Sequence, residues 1–204
     1  MTPDALRAII THEIPNMEGW TTPEVLLQVT DLILAQSITR VVELGTFGGR
    51  FLVAAGLALK HQGVGQVFGI DPWKNACCLE GETPENQDWW AKVDLHQMHR
   101  LTVEAIWRHG LDDVCVPIRC QSQFALDLFP HNSVEFLFLD GNHSEIASTR
   151  DAANWLPKLR RQGYLLMDDC NWPTTAKAQA IIETACQPVA KLTPDGKFRL
   201  FQKC

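Results

Sequence analysis

Arg40-Val-Val-Glu-Leu-Gly45-Thr-Phe-Gly48-Gly49 is the stretch that decides the fold. A short apolar run, rich in β-branched residues, ends in an acid and then a cluster of glycines. The run reads as a strand. The glycines let the backbone turn tightly and come close to a ligand. Phe51 to Lys60 reads as the helix that follows. From Gly45 the next glycines stand at +3 and +4, so the loop is Gly-x-x-Gly-Gly and not the Gly-x-Gly-x-x-Gly of dinucleotide-binding folds. Gln66 to Asp71 forms a second strand, ending in Gly69-Ile-Asp71-Pro-Trp73. Asp71 lies 26 residues after Gly45, the length of one strand–helix–strand unit. An acid there can accept both hydroxyl hydrogens of a ribose.

The same alternation continues outward. On the N-terminal side, Thr22-Pro23-Glu24 supplies a cap, a proline at the first helical position and an acid in the first turn. Val25, Leu26, Val29, Leu32 and Ile33 then recur at helical spacing. Residues 1–37 read as a helical segment capping the sheet. Residues 74–110, which hold Trp89, Trp90 and Trp107, are the least regular part and are expected to carry one or two helices. Val114 to Cys120 is a third strand and Val134 to Leu139 a fourth. Ser144 to Arg161 is amphipathic, with Pro157 kinking or splitting it near its end and Gly163 as its C-terminal cap. Tyr164 to Met167 is a fifth strand and Thr174 to Cys186 a helix. Val189–Leu192 pairs with Phe198–Gln202 across Pro194-Asp195-Gly196, a hairpin signal. The whole is an α/β chain with a mostly parallel sheet covered on both faces and a closing antiparallel hairpin. It reads as one domain over 1–204. In such sheets ligands sit beyond the carboxyl ends of the strands.

Composition removes several function classes. The net charge of −6 speaks against a broad nucleic-acid or anionic-membrane surface. No apolar run is long enough to span a bilayer, and the N-terminus lacks the pattern of a signal peptide. Seven cysteines without a Cys-x-x-Cys pair fit reduced thiols in a cytoplasmic protein rather than a zinc site.

VVELGTFGGRF (41–51), FGIDPW (68–73) and FLFLDGNHSEIASTRDAANWLPKLRRQGYLLMDDCNW (136–172) together resemble the class I S-adenosylmethionine-dependent methyltransferases. The similarity is to the branch of the macrocin O-methyltransferases and cephalosporin hydroxylase-like proteins, and more distantly to catechol O-methyltransferase. It covers residues 18–204, Glu18-Gly19-Trp20 included. The resemblance implies a seven-stranded Rossmann-like fold with S-adenosylmethionine as cofactor. Glu43, Gly45, Thr46, Phe47 and Gly49 would face its methionine part and Asp71 its ribose. Trp73, Gln121 and Ser122 would lie near the adenine, and Pro72 and Asp140 are further cofactor-binding candidates. Trp73 is equally readable as a core residue.

Asp140-Gly-Asn-His143 follows the fourth strand and Asp168-Asp169-Cys-Asn171-Trp172 the fifth. Adjacent parallel strands bring such ends together. Carboxylates clustered without a nearby Lys or Arg repel one another, and a hard divalent cation such as Mg2+ removes that repulsion. In the metal-dependent branch the resemblance implies Asp140, Asp168 and Asp169 as ligands. The position matching Asp169 is an amide in the catechol enzymes. Without a metal, Asp140 would serve as a hydrogen-bonding group, and Asp168 and Asp169 would cap the loop. His143 stands where catechol O-methyltransferase has its lysine base. Base and orienter of the loop are both open roles for it.

The expected reaction is direct displacement of the methyl group by a small-molecule hydroxyl held on the metal, with His143 and Asp140 as the catalytic pair. Trp20, Trp89, Trp90 and Trp172 would wall the acceptor pocket, or else fill the core or an oligomer contact. A metal-independent or nitrogen-directed methyltransferase, a nucleotide-dependent oxidoreductase and a non-catalytic S-adenosylmethionine-binding protein are the competing readings. The oligomeric state is open.

Overall fold

A computed structural model describes residues 1–204. Its backbone alternates strands and helices in the order the sequence predicts. The elements are α1 (Pro3–His12), α2 (Pro23–Ala35), β1 (Arg40–Leu44), α3 (Arg50–Gln62), β2 (Gln66–Ile70), α4 (Asn75–Cys78), α5 (Pro84–Trp90) and α6 (Leu95–Arg108). They continue with β3 (Cys115–Ile118), β4 (Val134–Leu139), α7 (Glu145–Trp155), β5 (Leu159–Met167), α8 (Ala176–Glu183), β6 (Cys186–Lys191) and β7 (Arg199–Lys203). The seven strands form one sheet in the order β3-β2-β1-β4-β5-β7-β6. β1 to β5 run parallel, and β7 pairs antiparallel with both β5 and β6. This is the Rossmann-like arrangement the sequence implied.

Side chains along the parallel strands alternate between two cores, as the two-residue period of a strand requires. Val41, Phe136, Phe138 and Leu166 pack into one, together with α1, α2 and α3. Val42, Leu137, Leu139, Leu165 and Met167 pack into the other, with Ala152 and Trp155 of α7 and Ala178 and Ile182 of α8. Both faces are therefore dry. The strand ends are the one place where polar chemistry can reach solvent without breaking the layers.

Four details differ from the sequence reading. The helix expected to reach Arg161 stops at Trp155, and Leu159–Gln162 begins β5 instead. Pro157 cannot donate a helical hydrogen bond, and Leu159 pairs with Val134 of β4. Gly163 therefore lies inside a strand and caps no helix, beside Gln162, which takes the left-handed φ of 60°. The segment 74–110 holds three helices rather than one or two. The first hairpin strand starts earlier than expected, at Cys186, the second is shifted by one residue to Arg199–Lys203, and β7 lies between β5 and β6.

Candidate functional site

The chain reverses direction across the sheet between β1 and β4, and the polar strand ends converge there, at the switch point where open α/β sheets bind ligands. Backbone hydrogen bonds just past the strands hold them in register. Gly45 N donates to Ile70 O at 2.9 Å, Asp140 N to Leu44 O at 2.9 Å, Asp168 N to Leu139 O at 3.0 Å and Asp71 N to Ile118 O at 3.1 Å. The motifs separated in sequence thus become one rim.

Gly45 is the residue that lets the rim close. Its φ is +88°, and a Cβ there would stand 1.9 Å from the carbonyl oxygen of Asp140. Three non-glycine residues on the same rim also adopt left-handed backbone: Phe47, Trp73 and Asp169, with φ of 48°, 42° and 49°. Such conformations cost energy and gather at functional sites.

Below the rim lies a cavity of about 370 Å³, within the ~300–1,000 Å³ range of small-molecule sites. Glu43, Gly45, Thr46, Phe47, Asp71, Pro72, Gln121, Ser122, Asp140, Asp168, Asp169 and His143 all border it. Two expected contributors do not. Trp73 is fully buried beside His99, and its Nε1 donates to Phe47 O at 2.7 Å. Its indole therefore supports the glycine loop from behind. Gly49 starts α3, with its open side against Thr102.

The glycine end of the cavity is a cradle for a polar ligand. Asp71 accepts from Phe47 N at 2.9 Å and Trp73 N at 2.6 Å, one donor on each oxygen. Each carboxylate oxygen offers about two acceptor directions, so each keeps one for a diol. Burial raises the Asp71 carboxyl above its usual range, against the lowering effect of those two hydrogen bonds. Glu43 Oε2 and Thr46 Oγ1 are buried without a hydrogen-bond partner. Orphaned buried acceptors carry a desolvation cost of ~1–3 kcal/mol each, so a ligand that donates to them is favoured. Burial, with the nearby charge of Asp140, holds the Glu43 carboxyl well above its ordinary value. Ser122 Oγ donates to Asp151 Oδ1 at 2.5 Å on the far wall.

The opposite end is acidic. His143 Nε2 stands 3.4 Å from Asp140 Oδ1 and 3.5 Å from Asp169 Oδ2. One ligand atom each from Asp140, His143 and Asp168 lie within 4.8 Å of one another. Burial lifts the Asp140 carboxyl to about 7. The Asp168 carboxyl rises to about 8 through burial and the like charges of Asp140 and Asp169. One premise of the sequence reading fails here: the cluster does contain a basic residue. Lys197 Nζ lies 3.2 Å from Asp168 Oδ1, 3.3 Å from Asp168 Oδ2 and 3.0 Å from Asp169 Oδ1. Burial works against its charge, yet Asp168 and Asp169 hold its ammonium above the ordinary lysine range. No sequence signal marked Lys197, because it comes from the β6–β7 turn, far along the chain from its partners.

Two other unmarked residues shape the site. Asn142 Nδ2 donates to the carbonyls of Cys78 at 3.2 Å and Glu80 at 2.9 Å, pinning the helical insert to the β4 loop. Arg50 donates to the carbonyls of Pro15, Met17 and Thr21, pinning the N-terminal segment. Together they form a mouth of aromatic rings. Trp20 stacks on Phe47 at 4.9 Å, Trp89 meets Trp20 at 5.5 Å and Trp90 at 4.8 Å, and Trp172 lies 5.8 Å from His143. Trp20, Trp89 and Trp172 are exposed, and all four tryptophans border the cavity.

Comparison with known proteins agrees with this geometry. Residues 42–170 match the family model described as "Methyltransferase domain". An uncharacterized protein of Acanthamoeba polyphaga mimivirus is 28% identical over 128 residues, 63% of this chain and 50% of the relative. The chain therefore spans about half the length of that curated relative. Among solved structures, the O-methyltransferase NovP superposes with a TM-score of 0.69 at 15% identity, covering 98% of this chain and 97% of that one. A protein of Staphylococcus aureus described as a putative caffeoyl-CoA O-methyltransferase gives 0.63 at 14% identity, covering 100% and 93%. The O-methyltransferase of Bacillus cereus, solved in complex with SAH, gives 0.61 at 13% identity, covering 100% and 93%. At these identities the likeness is one of fold. No helix is long and apolar enough to cross a membrane.

Proposed function

The chain belongs to the methyltransferase-domain family, and from that premise we propose that it binds S-adenosylmethionine in the cavity and methylates a hydroxyl of a small molecule. One observation carries the reading: unpartnered buried acceptors and a half-satisfied diol acceptor line the cavity behind the glycine turn. Glu43 and Thr46, buried side by side at the cavity wall, face only each other, and Asp71 keeps an acceptor direction beyond its backbone donors. A nucleoside with a charged amino-acid tail supplies the donors these atoms need. Asp71 takes the ribose, Gln121, Ser122 and Pro72 the base, and Glu43 with Thr46 the donors of the amino-acid part.

The cofactor supplies an electrophilic sulfonium methyl group. With that group bound, an acceptor oxygen would displace the methyl directly, and sulfur would leave as a neutral thioether. His143 Nε2 receives the hydroxyl proton. Asp140 and Asp169, 3.4 and 3.5 Å away, stabilise the imidazolium that results. His143 is thus assigned the base role, and the two carboxylates orient it once its Nε2 carries the proton. Most of the rate gain comes from aligning oxygen and methyl, which needs no covalent intermediate. Trp20, Trp89, Trp90 and Trp172 exclude water from the acceptor's side and offer flat apolar surface to its body. The insert 74–110 and the first 37 residues act as the two jaws of this acceptor end.

A resident divalent ion is a poorer fit. Its oxygen donors are present, but both Asp168 oxygens and Asp169 Oδ1 are already engaged by an ammonium.

Calorimetry with S-adenosylhomocysteine, followed by methyl transfer from labelled S-adenosylmethionine to a panel of hydroxyl compounds, tests the reading. Tight one-to-one binding and label on a hydroxyl are expected. Binding of NAD with no response to S-adenosylhomocysteine would replace it with an oxidoreductase. Cofactor binding without transfer across the panel would leave a binding protein, and label on nitrogen would redirect the acceptor.

A further inference from the structure

Lys197 is the charged group that the proposed reaction leaves unused, and it stands in the middle of the acidic cluster. Its backbone is fixed from both sides. Lys197 N donates to Asp195 Oδ1 at 3.0 Å, and Lys197 O accepts from Cys170 N at 2.9 Å, in the loop that carries Asp168 and Asp169. The ammonium also lies over the Phe198 ring, with Nζ 5.1 Å from its centroid. The side chain is therefore delivered to the carboxylates by a β-hairpin turn, whose following strand β7 is hydrogen-bonded to β5. This differs from a surface lysine that finds an acid by chance.

We propose that Lys197 is the protein's own cation at this site, standing in for a divalent metal and holding the acceptor oxygen beside Asp168 and Asp169. The inference rests on the methyltransferase reading and deepens it. An ammonium has three N–H donors. Asp168 Oδ1 and Oδ2, at 3.2 and 3.3 Å, share one of them and Asp169 Oδ1, at 3.0 Å, takes a second; Lys197 borders the cavity, which leaves the third for an acceptor oxygen. A metal ion would need the same Asp168 and Asp169 oxygens at ~2.0–2.6 Å, with a fixed positive charge bonded to those atoms. Charge repulsion and competition for lone pairs both work against that. What an ion would contribute, charge compensation and a grip on the acceptor oxygen, the lysine contributes without one.

The test uses the full chain freed of metal by EDTA and dialysis, with Mn2+ as the probe. Retained Mn2+ is read by electron paramagnetic resonance in wild type, Lys197→Met and Lys197→Arg, and each protein is also titrated with S-adenosylhomocysteine. Wild type and Lys197→Arg are expected to retain no stoichiometric Mn2+ at 1 mM, a concentration of ~10 times a 0.1 mM dissociation constant. Lys197→Met is expected to bind it at least tenfold more tightly, and its thermal midpoint to rise when Mn2+ is added. Methyl transfer by wild type should be the same with EDTA or Mg2+. Stoichiometric Mn2+ on wild type, or loss of its activity in EDTA, overturns the proposal while leaving cofactor binding intact. If Lys197→Met does not fold, the wild-type and Lys197→Arg measurements decide the matter alone. Absence of S-adenosylhomocysteine binding to wild type would refute the methyltransferase reading instead.

Discussion

Gly45→Ala offers the sharpest test of how the rim is built. Two separable penalties act at that position. The first is conformational: Gly45 has φ +88°, where a residue with a Cβ pays ~1–2 kcal/mol. The second is contact: the new carbon would meet Asp140 O at 1.9 Å, Asp140 C at 2.5 Å and Gly141 Cα at 2.8 Å. All three are backbone atoms and cannot rotate away. The ends of β1 and β4 must part by about 1 Å before the closest approach reaches even 3.0 Å. Overpacking of this kind costs ~1–3 kcal/mol beyond the conformational term. Gly63 is the matched control, because its φ is +82° and a Cβ there meets nothing within 4 Å. Gly63→Ala should therefore lower stability by ~1–2 kcal/mol and Gly45→Ala by ~2–5 kcal/mol. At ~2–4 °C per kcal/mol for a chain of this size, the two melting temperatures should differ by several degrees. Only Gly45→Ala should also weaken S-adenosylhomocysteine, by tenfold or more, since the rim it spreads is the cofactor cradle. Differential scanning calorimetry and isothermal titration measure both. Equal losses in the two variants, with normal ligand affinity in each, would show that the approach of β1 to Asp140 is soft and that the argument from close contact is wrong.

Asp71→Asn should reduce S-adenosylhomocysteine affinity by ~10–100-fold, because its amide nitrogen replaces an oxygen that would accept a ribose hydroxyl and sets donor against donor on binding, at ~1–3 kcal/mol. A change smaller than threefold in titration calorimetry would remove Asp71 from the site. Trp20→Ala should lower stability by no more than ~1.5 kcal/mol, the worth of its stacking on Phe47. It should leave cofactor affinity within threefold and raise the acceptor KM; an unchanged KM would place the acceptor elsewhere. Asp151 bears on pH. Burial lifts its carboxyl from 3.8 to about 6, so the folded state holds that proton more tightly than the unfolded state. Its stabilising protonation is complete below about pH 3.8 and is lost as pH rises to about 6, a span of at most ~3 kcal/mol. Asp151→Asn should therefore gain stability relative to wild type between pH 4 and 6.5 in thermal melts; a difference independent of pH would disprove the assignment.

The amino-acid sequence determined the alternation of strands and helices, the glycine turn after β1, and the acids at the ends of β1, β2, β4 and β5. Each of these is a local demand. Side-chain period, the φ of Gly45 and the length of one strand–helix–strand unit are all written within a few tens of residues. Some local signals still misled: Pro157 and Gly163 read as the end of a helix, whereas pairing with β4 drew Leu159–Gln162 into a strand. Trp73 was readable as an adenine contact or as core, and the turn at Asp71 decides for the second, with its indole behind the glycine loop. Only the tertiary structure decided what neutralises the acidic cluster. The hairpin could have added to the sheet through either strand, and its own pattern does not say which. Because β7 docks on β5, the turn before it lies against Asp168 and Asp169, and a lysine 29 residues from Asp168 arrives within 3.3 Å of both. Contacts of that kind follow from which edges meet in space, a choice made by the packing of the whole sheet and not by any pattern along the chain.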